Sequence, residues 1–163
     1  STIKSLDGYI DIYMPDIKYY SDEFAKKYSK ADRYFEYASN AVKVMTEQTG
    51  KIVLDGNGIM KRGVIIRHMV MPGCRKDSMN IIKWIGNNLD RESFIVSLMS
   101  QYTPAFHSDE HKEINRKITT FEYESVAEYC LELGFDNGYV QERTSAEKEY
   151  TPPFDLEGVE RTD

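Results

Sequence analysis

At 163 residues, with 40% hydrophobic and 29% charged side chains, the chain is sized for one domain with a sizeable core. Its formal charge of −6 excludes a general nucleic-acid or anionic-membrane surface, and no run approaches the roughly 20 apolar residues of a membrane span. The two cysteines, Cys74 and Cys130, make no disulfide framework and point to a reducing, cytoplasmic setting.

Residues 1–8 read as the last turn of a helix, with Ile3 and Leu6 three apart and Gly8 at the C-terminal glycine position. A mature protein rarely begins there, so a piece of a longer chain is expected. The rival reading is a short frayed N-terminus. Residues 9–14 read as a strand of aromatic and β-branched types, which Pro15 ends because proline cannot donate in a ladder. Asp16 and Lys18 then point the same way if the backbone stays extended.

A helical region starts at Ser21-Asp22-Glu23, and a second start between Ser29 and Asp32 makes two helices plausible. Phe35, Ala38, Val42 and Met45 form its core stripe, and Gly50 closes it. Asp55-Gly56-Asn57-Gly58 reads as a hairpin or loop turn. A phosphate loop is rejected because no helix follows to supply an N-terminus.

Residues 64–73 form a buried strand running into a Pro-Gly turn, with a permanent cation in the middle. Alternation puts Ile65, Arg67, Met69 and Met71 on one face and Val64, Ile66, His68 and Val70 on the other. An arginine is almost never buried alone, so Arg67 requires an anion. A neighbouring Asp or Glu is one answer; a bound carboxylate or phosphate is the other. His68 faces away and reads as a satisfied core histidine.

Asp77 or Ser78 is expected to cap a helix carrying Ile81, Ile82, Ile85 and Leu89. Residues 94–99 form the next buried strand, and residues 100–118 a polar loop. In that loop His107 and His111 are four apart, but without a helical apolar stripe they read as solvated rather than zinc-binding. Thr119 with Glu122 is a capping box, opening a helix with Val126, Cys130 and Leu133 inside and Gly134 at its stop. Residues 138–141 suit a short last strand. One α/β domain is therefore expected over 1–141, with a polar tail over 142–163; the resemblance given below implies that this domain is a partial (β/α) barrel.

Strands alternating with helices predict an α/β fold with about four parallel strands, either an open doubly wound sheet or part of a TIM-type barrel. In both, chemistry belongs at the carboxyl ends of the strands. Asp16 with Lys18, Arg67 to Gly73, and Ser100 to Pro104 would then share one rim. Arg67, Lys18 and Asp16 together suit a zwitterion; alternatively Asp16 pairs with Lys18 or Arg67 and is purely structural.

Asp16-Ile17-Lys18 after one strand and Arg67-His68-Met69-Val70-Met71-Pro72-Gly73 after the next resemble the radical SAM enzymes, most closely the pyruvate formate-lyase-activating enzymes and their relatives. The resemblance covers nearly the whole chain. It implies a partial (β/α) barrel of six strands. In it a 4Fe-4S cluster on a Cys-x-x-x-Cys-x-x-Cys loop reduces S-adenosylmethionine, and the resulting 5′-deoxyadenosyl radical abstracts hydrogen, from a glycine in the activases. By the same resemblance Asp16, Lys18 and Arg67 hold the methionine and ribose portions, the backbone at Met69 meets adenine, and Gln101 and Tyr102 line the cavity.

The three-cysteine loop is absent here, and Cys74 with Cys130 cannot replace it, since such a cluster needs close-spaced thiolates. The family's first strands and Gly-Gly-Glu-type motif are absent too. The Pro-Tyr-His usual in activases is Met99-Ser100-Gln101-Tyr102-Thr103-Pro104 in this chain. The expectation is the C-terminal part of a radical SAM barrel, inactive and cluster-free alone. Its expected partners are the missing N-terminal half, a glycyl radical enzyme or other protein substrate, or a second copy through open edges. Membranes and nucleic acid are not expected partners. The competing expectations are a complete zwitterion-binding α/β module without catalysis, and a plain interaction domain.

Overall fold

The structure is a computed structural model that describes residues 2–135 and 139–140. After a short 3-10 turn at Lys4–Leu6, the elements are β1 (Ile12–Tyr13), α1 (Asp22–Ser29), α2 (Tyr34–Thr49), β2 (Val53–Leu54), β3 (Met60–Met69), α3 (Arg75–Asn88), β4 (Phe94–Met99), a second 3-10 turn at Phe106–Glu110, α4 (Thr120–Glu132) and β5 (Tyr139–Val140). The expected 142–163 tail lies outside the described residues.

The sheet runs β1-β3-β4-β5, all parallel, and β2 adds an antiparallel strand on β3. The fold is thus α/β with an open, mixed sheet, not an all-parallel one. The antiparallel strand comes from the Asp55–Gly58 turn, where the Asp55 carboxylate accepts from the backbone N–H of Asn57 and Ile59 at 2.9 and 3.0 Å. That is an Asx-type closure of a hairpin.

Burial alternates along β4 and, from Val64 to Met69, along β3. Val64, Ile66, His68 and Val70, with Phe94, Val96 and Leu98, are buried. They share one core with Val42 of α2, Ile81, Ile82 and Ile85 of α3, and Val126 and Cys130 of α4. The in-register opposite face, Ile65, Arg67 and Met69 beside Ile95, Ser97 and Met99, is only partly covered. Helices α2, α3 and α4 therefore all pack on one side, which is not a doubly wound arrangement. No helix among the described residues is long and apolar enough to cross a membrane.

Three expectations change in detail. Pro15 interrupts β1 without ending the pairing: its carbonyl accepts from Arg67 N–H at 2.9 Å, and Ile17 N–H donates to the Arg67 carbonyl at 3.0 Å. Proline removes a donor, not an acceptor. Asp77 does not cap its own helix, which starts at Arg75. Its buried carboxylate instead accepts from Tyr20 and Ser21 N–H, both at 2.8 Å, and so holds the start of α1. Residues 100–118 are not wholly solvated, because Ser108, Ile114 and Ile118 are buried. The capping box of α4 forms as read.

His68 is 1% exposed, with Nδ1 at 2.6 Å from the Ile17 carbonyl, so that nitrogen carries the proton. Nε2 is buried and has no hydrogen-bond partner among the described residues. Burial pushes its pKa down from 6.5 to about 4. Between those values the unfolded chain binds the extra proton, so stability is full above the upper one and falls as pH drops toward the lower. The loss should be on the order of 3 kcal/mol between about pH 7 and about pH 4 in urea melts. His68→Asn, which can keep a donor to Ile17, should flatten that slope; an unchanged slope would refute the assignment.

Candidate functional site

The rim at the carboxyl ends of β1, β3 and β4 collects the polar residues. Arg67 sits on the face that no described helix covers, and its Nε donates to Asp16 Oδ1 at 2.7 Å. Both side chains are about one-third exposed, 39% and 34%. Of the two partners the sequence left open, the structure supplies the neighbouring carboxylate.

Lys18 is exposed on the same side as Asp16, since Tyr13, Ile17 and Tyr19 between them take the buried side. One hydroxyl fixes this segment: Tyr34 OH accepts from Lys18 N–H at 3.0 Å and donates to the Asp16 carbonyl at 3.2 Å. Among the described residues no carboxylate pairs with the Lys18 ammonium.

Beside Lys18 opens a cavity of about 530 Å³, walled by Met69 and Met71, by Tyr19, by Tyr102 and Thr103, by the end of α1, and by residues of the 105–114 loop. Met69 and Tyr102, both expected at the site, line it. Arg67, Asp16 and Gln101 stand outside its lining. Met71 departs from the strand pattern. Beyond Met69 the chain turns, and Met71 is buried in a small rim cluster with Tyr19, Ala25, Cys74 and Ile114.

Two groups at the rim escape sequence reasoning. Glu122 accepts from Gly73 N–H at 2.7 Å, so the residue that caps α4 also anchors the Pro-Gly turn after β3. Arg116 meets the same carboxylate through both terminal nitrogens, at 2.8 and 2.7 Å. These donors hold the Glu122 pKa far below the carboxylate range. The capping box was visible in sequence; its second client was not. The other group is Tyr28, whose hydroxyl donates to Glu113 at 3.0 Å beside the Lys27–Glu113 ion pair, and whose ring packs edge-on to His111 at 5.2 Å. A run of aromatics from Tyr19 to Tyr34 was its one signal.

His107 Nδ1 lies 3.0 Å from Glu110, and His111 packs on Tyr28. Among the described residues no three His, Cys, Asp or Glu side chains are placed to hold a metal ion. Cys74 and Cys130 are buried in separate clusters, and burial pushes both thiols up to about 12. They do not fit the ligand set of an iron–sulfur cluster, which needs several converging thiolates.

No protein-family model matches the chain, and no solved structure matches it. An uncharacterized protein of Methanocaldococcus jannaschii is 32% identical over 139 residues, covering 80% of this chain and 36% of the relative. The chain thus spans little more than a third of the curated relative it matches.

The two carboxylates should differ in weight. Asp16→Asn breaks a solvent-screened pair and should cost no more than about 1 kcal/mol in urea denaturation. Glu122→Ala removes a helix cap and the Gly73 tether and leaves Arg116 unpaired, and should cost about 2 kcal/mol or more. Equal losses would contradict the anchoring role of Glu122.

Proposed function

We propose that this chain is the C-terminal part of a radical SAM barrel, cytoplasmic, whose rim holds the amino-acid end of S-adenosylmethionine. The observation that carries the reading is the Asp16–Arg67 pair at the carboxyl ends of two parallel strands, on the face that no described helix covers. A helix-free face with layered apolar residues is what the inside of a (β/α) barrel presents. The coverage of little more than a third of the relative agrees with a part of a larger protein.

The donor set fits the ligand. A methionine carboxylate matches the Lys18 ammonium, which pairs with no carboxylate among the described residues, and the remaining donors of the Arg67 guanidinium, and its ammonium matches Asp16. Met69 and Tyr102 give the neighbouring cavity apolar and aromatic walls on which an adenine can rest. The residues here bind and orient; Cys74 and Cys130 hold no cluster, and no electron-transfer step is assigned to this chain. The missing strands would supply the cluster ligands and cover the open face. A glycyl radical enzyme or another protein is the substrate that the family resemblance proposes.

The formed Asp16–Arg67 contact favours one second reading, in which the pair is a structural clasp and the chain a plain interaction domain. Ligand-observed NMR with S-adenosylmethionine separates the two. Saturation transfer should be seen, and Lys18→Ala and Arg67→Ala should each weaken it about tenfold. No transfer, or transfer indifferent to both substitutions, would leave only the clasp. The codons upstream of Ser1 test the larger claim. An in-frame extension with close-spaced cysteines is expected; a start codon directly before Ser1 would sink it.

A further inference from the structure

The cavity beside Lys18 extends away from Arg67, toward α1 and the 106–110 turn, and its charges do not balance. Lys27 is spent on Glu113, and the Glu110 carboxylate beside His107 sets one negative charge against the remaining lysines. The Lys27 and Tyr28 contacts lower the Glu113 pKa, which favours the ionised carboxylate beside Lys27. Lys18 and Lys30 also line the cavity, and neither has an ion-pair partner among the described residues. Lys30 ends α1 in the left-handed region, φ 52°, with its backbone N–H bonded to Lys26. A chain of net charge −6 therefore carries a locally positive hollow.

The walls are apolar for a specific reason. Tyr102 OH donates to the Ile114 carbonyl at 2.9 Å, and Tyr19 OH pairs with Ser29 Oγ at 2.8 Å. Their phenols are occupied, so what they offer a ligand is ring surface. Met69 and Met71 add polarizable thioethers. Apolar walls with a few placed charges are the usual make-up of a small-molecule site, and about 530 Å³ lies within the range such sites span.

We propose that this outer part of the cavity is a second ligand compartment for an organic anion, with an apolar, ring-sized body against Tyr19, Tyr28 and Met71 and a carboxylate or phosphate at Lys30. Its role as the place of the radical's substrate rests on the radical SAM reading; the binding itself does not.

An NMR shift titration of the full chain with phenylacetate and phenyl phosphate tests it, with phenethylamine and inorganic phosphate as comparisons. The two ring anions should bind, which of them more tightly telling carboxylate from phosphate. Phenethylamine and inorganic phosphate should each bind at least tenfold more weakly. Lys30→Gln should weaken ring-anion binding about tenfold and Lys30→Arg should restore most of it. Binding of phenethylamine as tight as phenylacetate, or no response to Lys30→Gln, would overturn the compartment. Inorganic phosphate as tight as phenyl phosphate would do the same, since the ring would contribute nothing. The two readings fail separately. Loss of S-adenosylmethionine binding with phenylacetate retained removes only the radical SAM reading, and the reverse removes only this one.

Discussion

The seam between residues 15–17 and Arg67–His68 fixes the rest of the molecule. It is held at three levels. Two backbone hydrogen bonds join Arg67 to Pro15 and Ile17. Above them, on the open face, the Arg67 guanidinium meets Asp16. Below them, in the core, the His68 ring meets the Ile17 carbonyl. Slipping β3 by one residue would turn Arg67 into the core and His68 out of it. An unpaired guanidinium buried there would cost several kcal/mol, more than any one apolar contact regained. Register is therefore specified by two adjacent polar residues as well as by the hydrophobic alternation around them.

Once that register is set, the rim is assembled by carboxylates acting across the chain. Asp77 on α3 reaches the backbone of Tyr20 and Ser21, which places α1 over the strand ends. Its pKa is raised because desolvation outweighs the two N–H donors. Glu122 on α4 reaches Gly73, where φ is +75° and the turn suits a glycine. Its pKa is lowered because Arg116, first, and then three further donors outweigh partial burial. Each post joins a helix on the covered side to a loop at the rim. The cavity thus inherits its shape from helices that do not line it.

Local patterns were readable from residues alone. The faces of β3, the stripe of α2, the Gly50 stop and the Thr119–Glu122 box all follow from periodicity and capping, which act over a few residues. What escaped acts over long separations. Nothing near Asp77 says that its partners lie at Tyr20 and Ser21, and nothing near Glu122 points to Gly73. Pro15 misled because the rule against proline in strands concerns its missing donor, while the seam uses its carbonyl. The single-sided packing also could not be read, since Ile95, Ser97 and Met99 are as compatible with a second helical layer as with an open face. The choice between a carboxylate and a ligand for Arg67 was a question of partner, and spacing does not answer that.

The exposure of that pair bears on what it can do. At about one-third exposure, solvent screens the attraction, and a pair of this kind is worth about 0–1 kcal/mol net. Exchanging Asp16 for a ligand carboxylate at Arg67 therefore costs little. A zwitterion makes the exchange nearly neutral, because its ammonium takes over the Asp16 carboxylate as its carboxylate takes the guanidinium. If further strands closed over this face, the effective dielectric around the pair would fall and each charge contact would strengthen. Under such cover, a rim that is a weak clasp in the open sheet would become, on the proposed reading, a selective seat for a molecule carrying both charges. Completing the sheet and binding a ligand would then be coupled, since each removes water from the same charges.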